Sequence, residues 1–228
     1  MRHFLLTIAL LSIGEMAEAQ KLVGIRGGID YTNLQISSTG TMDQARNINS
    51  FHAGFTYNVP FFIFSFQPSL LVTGKGARST HGDVNSNDYY VAKTNPIYLE
   101  VPLTFNLNLH IGPKTGIFAG AGPYVAMGFA GRSSVYGKRD GVDFSHNTAI
   151  DYSNGPSKLN VEEGAAYGKL KRYDYGATVN AGVFLHGLML SAFYDYGFPK
   201  INTLSNSNQT DSFRNMTLGF SAGFMFGE

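Results

Sequence analysis

The stretch Ile97-Tyr98-Leu99-Glu100-Val101-Pro102-Leu103-Thr104-Phe105-Asn106-Leu107-Asn108-Leu109 narrows the possible folds more than any other part of this chain. Its odd positions are all apolar, and Tyr98, Glu100, Thr104, Asn106 and Asn108 lie between them. A repeat of two sorts these sets onto opposite faces of an extended strand, which a helix cannot do. The pattern recurs along the chain. Val23, Ile25, Ile29 and Tyr31 alternate with Arg26, Gly28 and Asp30, and Phe51, Ala53, Phe55, Tyr57 and Val59 alternate with His52, Gly54, Thr56 and Asn58. Phe64, Phe66, Leu70 and Val72 oppose Ser65, Gln67, Ser69, Thr73 and Lys75, and Met216, Leu218, Phe220, Ala222, Phe224 and Phe226 oppose Thr217, Gly219, Ser221 and Gly223. With further segments near 116–130, 172–185 and 188–198, eight strands of about 10–14 residues are expected.

The connections alternate as the strands do. Short links fall near Pro60-Phe61, at Gly112-Pro113-Lys114 and at His186-Gly187, whereas long ones span roughly 35–49, 76–95, 131–171 and 199–212. In an up-and-down barrel every second connection lies on the same rim, so the short turns share one end with both termini and the long loops share the other. That is the plan of an outer-membrane barrel. The fold expected is therefore all-β, an eight-stranded antiparallel up-and-down transmembrane β-barrel.

Face composition separates this from a soluble eight-stranded calyx, which would carry its charged face outside. Here the polar parity is mainly Gly, Ser, Thr and Asn, which suit the narrow interior of an eight-stranded ring. The apolar parity holds no charge in the middle of any strand, where one Arg or Lys would cost about 2–4 kcal/mol in a bilayer. Tyr31, Tyr57, Tyr173, Tyr175, Tyr194, Tyr196 and Phe198 fall toward strand ends on that parity, as aromatic girdles do. Only 14% of residues are charged, against about 25% in an ordinary soluble domain. The net charge of +1 argues against nucleic acid as a partner, and the absence of Cys excludes disulfides, thiolate metal sites and a thiol nucleophile.

Residues 1–19 read as a secretory signal peptide: Arg2 and His3, the apolar run Phe4–Leu11, then Ala17 and Ala19 as an A-x-A cleavage site. The run is too short to span a bilayer as a helix. Residues 20–228 are expected to form the barrel domain. Removing Arg2, Glu15 and Glu18 from 17 basic and 16 acidic residues leaves a mature net charge of +2.

Four motifs carry a family resemblance. Gln67-Pro68-Ser69-Leu70-Leu71-Val72-Thr73-Gly74-Lys75-Gly76 resembles the third strand of the PorT-like outer-membrane β-barrel family, and Tyr98-Leu99-Glu100-Val101-Pro102-Leu103 is similar to its fourth. Gly120-Ala121-Gly122-Pro123-Tyr124-Val125 resembles its fifth, and Asp174-Tyr175-Gly176 the start of its sixth. The resemblance covers essentially the whole mature chain. It implies an eight-stranded barrel in a Gram-negative outer membrane and allows a supporting role in a secretion or envelope complex. Such barrels usually end on an aromatic residue that engages the insertion machinery, whereas this chain ends Phe226-Gly227-Glu228.

Candidate chemistry concentrates on the inward parity, where Arg26, Asp30, Lys75, Glu100, Asp174 and Asp195 gather. Charges inside a filled barrel have to be paired, so a lumen ion-pair network is expected, with Lys75 meeting Glu100 from an adjacent strand. Lys169, Lys171 and Arg172, at the end of the long 131–172 connection, are candidates for contacts with lipopolysaccharide phosphates. Of the mature histidines, His52 alone points inward near a rim and is the one worth mutating in search of an active site. Gly24-Ile25-Arg26-Gly27-Gly28 only superficially resembles a phosphate loop, since no helix follows it. No cofactor and no metal site is expected. The function expected is structural or that of a binding platform, non-enzymatic, with a plugged lumen. A lipid-modifying outer-membrane enzyme and a small-solute channel are the alternatives. The partners expected are outer-membrane lipid and lipopolysaccharide, the barrel-insertion machinery during biogenesis and an envelope or secretion-complex protein.

Overall fold

A computed structural model describes residues 22–37, 48–152, 169–199 and 212–227, so the signal segment and parts of three long connections lie outside it. Twelve strands follow in chain order: β1 (Leu22–Ser37), β2 (Ile48–Phe61), β3 (Phe64–Gly74), β4 (Ala77–His81), β5 (Tyr89–Gly112), β6 (Thr115–Arg139), β7 (Val142–Ala149), β8 (Asp151–Tyr152), β9 (Lys169–Leu170), β10 (Tyr173–Leu185), β11 (Leu188–Gly197) and β12 (Ser212–Phe226). Eight of them close on themselves. β1 pairs with β2, β2 with β3, β3 with β5, β5 with β6, β6 with β10, β10 with β11, β11 with β12, and β12 returns to β1, every pair antiparallel. The closing register runs unbroken from Val23 opposite Phe226 to Ser37 opposite Ser212. Closure removes the unpaired edges that an open sheet would present.

The three short links are tight turns at one end of the ring. His186 and Gly187 both take positive φ, 49° and 88°, which is the type I′ geometry whose twist suits a two-residue hairpin. The alternation read from the sequence becomes the two faces of the wall. Phe55, Phe105, Val125 and Val179 face outward and more than half exposed, while Thr56, Thr104, Asn106 and Thr178 point into the ring and are buried.

The long connections differ from the expectation. β5 has 24 residues and β6 has 25, where 10–14 were expected, and both continue well past the rim. At about 3.3 Å per residue such a strand is about 80 Å long, more than twice what a tilted strand needs to cross the apolar band. β4 pairs with the start of β5 and β7 with the end of β6, so much of the expected 76–95 and 131–171 loops forms a four-stranded sheet in the order β4-β5-β6-β7. Asp140 and Gly141, with φ of 51° and 78°, make the type I′ turn between β6 and β7. A bulge hides the continuation from a period-two reading. Tyr98 pairs with Gly128 but Ile97 with Ala130, so Phe129 is skipped and the inward parity of β6 changes from even to odd positions.

Candidate functional site: the charged lumen

The inward side chains form two polar clusters. In the first, Lys75 stands just past the end of β3, where its N–H donates to the Pro96 carbonyl at 2.9 Å. The next residue is locked in turn: the Gly76 N–H donates to Thr32 Oγ1 at 3.0 Å, and Thr32 Oγ1 donates to the Gly76 carbonyl at 2.8 Å. So held, the Lys75 ammonium forms an ion pair with Glu100 of β5 and lies 3.6 Å from Asp174 Oδ2 of β10. It also sits 4.1 Å from the centre of the Tyr124 ring, a cation–π contact. Asp174 Oδ2 accepts hydrogen bonds from Tyr124 at 3.1 Å and from Asn215 Nδ2 at 2.8 Å. Lys75, Glu100 and Asp174 are each at most 2% exposed. Tyr98 and Tyr124 pack beside them, and Tyr152 of β8 covers Tyr98 edge-on at 6.1 Å while donating to the Ala130 carbonyl at 2.7 Å.

The second cluster crosses four strands. Asp30 Oδ1 of β1 is 2.8 Å from His52 Nδ1 of β2, and His52 Nε2 is 2.9 Å from Ser221 Oγ of β12. Thr73 donates to the other Asp30 oxygen at 3.3 Å. His52 can reach over β1 because Gly28, its register partner and that of Ser221, has no side chain; a Cβ there would stand 2.7 Å from His52 Cε1. Phe193 of β11 packs edge-on against the imidazole at 5.1 Å and lies under the Arg26 guanidinium at 5.4 Å.

The six charged residues singled out from the sequence are thus divided. Lys75, Glu100 and Asp174 come together. Asp30 pairs with His52 instead of a lysine or arginine. Arg26 rests on Phe193, and Asp195 is buried beside Thr178; neither makes an ion pair among the described residues. Sequence reasoning picked out His52 but not Ser221, since 169 positions separate them and only the β1–β12 closure unites them. Lys169 and Arg172 are exposed and Lys171 half-buried at the rim, beside Tyr173, which is 61% exposed.

Asp30, His52 and Ser221 follow the atom order of a hydrolase relay, in which a carboxylate holds the imidazole that deprotonates a hydroxyl. Their setting is different. The three are 0%, 2% and 5% exposed, and Phe193 closes over the imidazole, whereas a nucleophile needs a reacting carbon within about 3.5 Å. What the arrangement does is tie β2, β1 and β12 together across the seam where the ring closes.

A closed antiparallel ring, apolar outside and polar within, is the build of an outer-membrane barrel, the arrangement in which a β-sheet can meet lipid without an unpaired edge. The chain matches the sequence profile of the outer membrane protein beta-barrel domain over residues 18–203, and it belongs to that family. The fold resembles the outer membrane protein OprG from Pseudomonas aeruginosa, with TM-score 0.50 and 12% identity over 92% of this chain and 97% of that one. Weaker likenesses are to Ail, the attachment invasion locus protein of Yersinia pestis, with TM-score 0.38, 14% identity and coverage of 92% and 99%, and to Neisserial surface protein A, with TM-score 0.39, 14% identity and coverage of 90% and 97%. No curated protein sequence matches the chain. Family and fold together indicate the outer membrane of a Gram-negative bacterium.

Proposed function

We propose that this protein is a non-conducting, non-enzymatic outer-membrane anchor that holds the β4–β7 sheet outside the cell as a binding platform. The observation that carries the reading is the filling of the ring: Tyr98, Tyr124, Leu71, Lys75, His52 and Glu100 are all at most 2% exposed, and they come from four of its strands and the segment after β3. Eight strands leave room for side chains and little else. Residues 1–19 direct export and are cleaved off after Ala19, and the long-connection end faces outward. Lys169, Lys171 and Arg172 meet lipopolysaccharide at that rim, and Phe226 serves the insertion machinery. The PorT-like motifs favour a protein of a secretion or envelope complex as the partner held by the platform.

Two measurements test this. Purified protein in planar bilayers is expected to give no stable current, and a large one would mean an open channel. Crosslinking in intact cells is expected to capture a partner on the β4–β7 sheet, and recovery of crosslinks on the short-turn end alone would move the platform to the periplasm.

A further inference from the structure

The β4–β7 sheet carries three cations that no acid among the described residues pairs. Arg78 of β4 stands directly opposite Lys93 of β5, and Lys93 opposite Ser134 of β6, so all three side chains share one face. Arg132, two residues from Ser134, shares it as well. Arg78, Lys93 and Arg132 are all exposed. Directly opposed side chains lie about 5 Å apart at Cβ and diagonal ones about 7–8 Å, so the three charges crowd a patch the size of one or two phosphate groups. Opposed like charges oppose pairing of the strands that bear them. Elsewhere the same sheet balances its cations: Lys138 lies 4.0 Å from Asp143. Among the described residues no carboxylate comes within ion-pair distance of Arg78, Lys93 or Arg132.

The direction in which the patch faces determines what it meets. β5 runs from Tyr89 to Gly112 with its outward parity on odd positions, so Lys93 continues the row of Ile97 and Leu99. It stands about 13 Å along the strand from Ile97, just beyond the apolar band. Arg132 follows the outward, half-exposed Phe129 by three residues. The cations therefore continue the outward face of the wall beyond Ile97 and Phe129, where lipid headgroups would lie around a membrane barrel.

We propose that Arg78, Lys93 and Arg132 form a binding site for the phosphate groups of an anionic outer-leaflet lipid headgroup. The assignment rests on the outward orientation of the β4–β7 sheet given above and names the chemistry of what that platform meets. Guanidinium forks bind phosphate bidentately and the lysine adds a point charge, so the bound lipid relieves the repulsion built into the β4–β5 pair. The site also fixes the sheet against the membrane surface.

The test uses the full mature chain in detergent, titrated with bis-phosphorylated lipid A and read by native mass spectrometry. The variant Arg78→Gln/Lys93→Gln/Arg132→Gln is expected to bind at least about tenfold more weakly, with fully dephosphorylated lipid A equally weak on both proteins. Lys114→Gln, at the opposite end of the ring, should leave affinity unchanged. The charge-preserving variant Arg78→Lys/Arg132→Lys should bind more weakly than wild type but more tightly than the triple Gln variant, which separates loss of charge from loss of fold. Equal affinity of wild type and the triple variant overturns the site, as does displacement of lipid A by millimolar inorganic phosphate, which would mark a soluble-anion site. The underlying orientation is checked separately. Because the chain has no Cys, Asn147→Cys is a unique target for a membrane-impermeant maleimide on intact cells. Failure of that labelling removes the outward platform, while failure of lipid binding removes only the site.

Discussion

Replacing Lys75 by Met tests the lumen network most directly. The substitution keeps an unbranched apolar stem and removes the one cation among the described residues that pairs with both Glu100 and Asp174. At 3.6 Å and an effective dielectric constant of 20, the Lys75–Asp174 attraction alone is about 4–5 kcal/mol before desolvation is counted. Removing one member of a buried pair strands the other and typically costs about 3–5 kcal/mol net. Asp174 keeps its Tyr124 and Asn215 donors, so the stranded charge at Glu100 carries most of that cost. Lys75→Met/Glu100→Gln, which neutralises the stranded acid, should therefore recover about 2 kcal/mol of the loss. With a urea dependence of about 1–3 kcal/mol per molar, the single variant should unfold at least about 1 M earlier in lipid vesicles. The chain contains no Trp, so far-UV circular dichroism and heat-dependent gel mobility are the suitable probes. A single variant within about 1 kcal/mol of wild type would refute the reasoning, as would a double variant no more stable than the single one.

Other perturbations address other parts of the wall. Val179→Arg places a charge outward in the middle of β10, where Val179 is 51% exposed, and should cost about 2–4 kcal/mol in vesicle unfolding. Gly28→Ala would set a Cβ 1.9 Å from the Phe220 carbonyl oxygen and 2.7 Å from His52 Cε1, so β12 must shift as well, and it should destabilise by at least about 1–3 kcal/mol, read as a lower urea midpoint. Tyr152→Phe removes the 2.7 Å hydrogen bond to Ala130 and should cost about 1 kcal/mol, with faster amide exchange confined to the rim around the β6 bulge.

Much of the ring was legible in the sequence because a strand facing lipid on one side and a narrow polar lumen on the other must alternate strictly. Glu100 and Lys75 could be placed inside by parity alone. The β4–β7 sheet was not legible, for two local reasons. Its buried positions hold mostly small or polar side chains, such as Ala77, Ala92, Thr94 and Ser133, so the apolar alternation fades, and the bulge at Phe129 inverts the parity of what does persist. The Asp140-Gly141 dipeptide was the one signal that could have marked the β6–β7 hairpin.

By itself the sequence determined the period, the number of ring strands, the alternation of short and long connections and, up to the β6 bulge, which face the ring side chains take. These are properties of one strand and its neighbouring turns, set by backbone geometry and by the cost of placing charge in lipid. Only the tertiary structure decided the partners of those side chains. Whether Asp30 meets an arginine or a histidine, and whether Ser221 meets anything, depends on closing β12 against β1. Likewise Arg78, Lys93 and Arg132 become a patch only when β4 and β6 lie on either side of β5. Register between strands distant in sequence is fixed by the closure of the whole ring, and no local pattern encodes it.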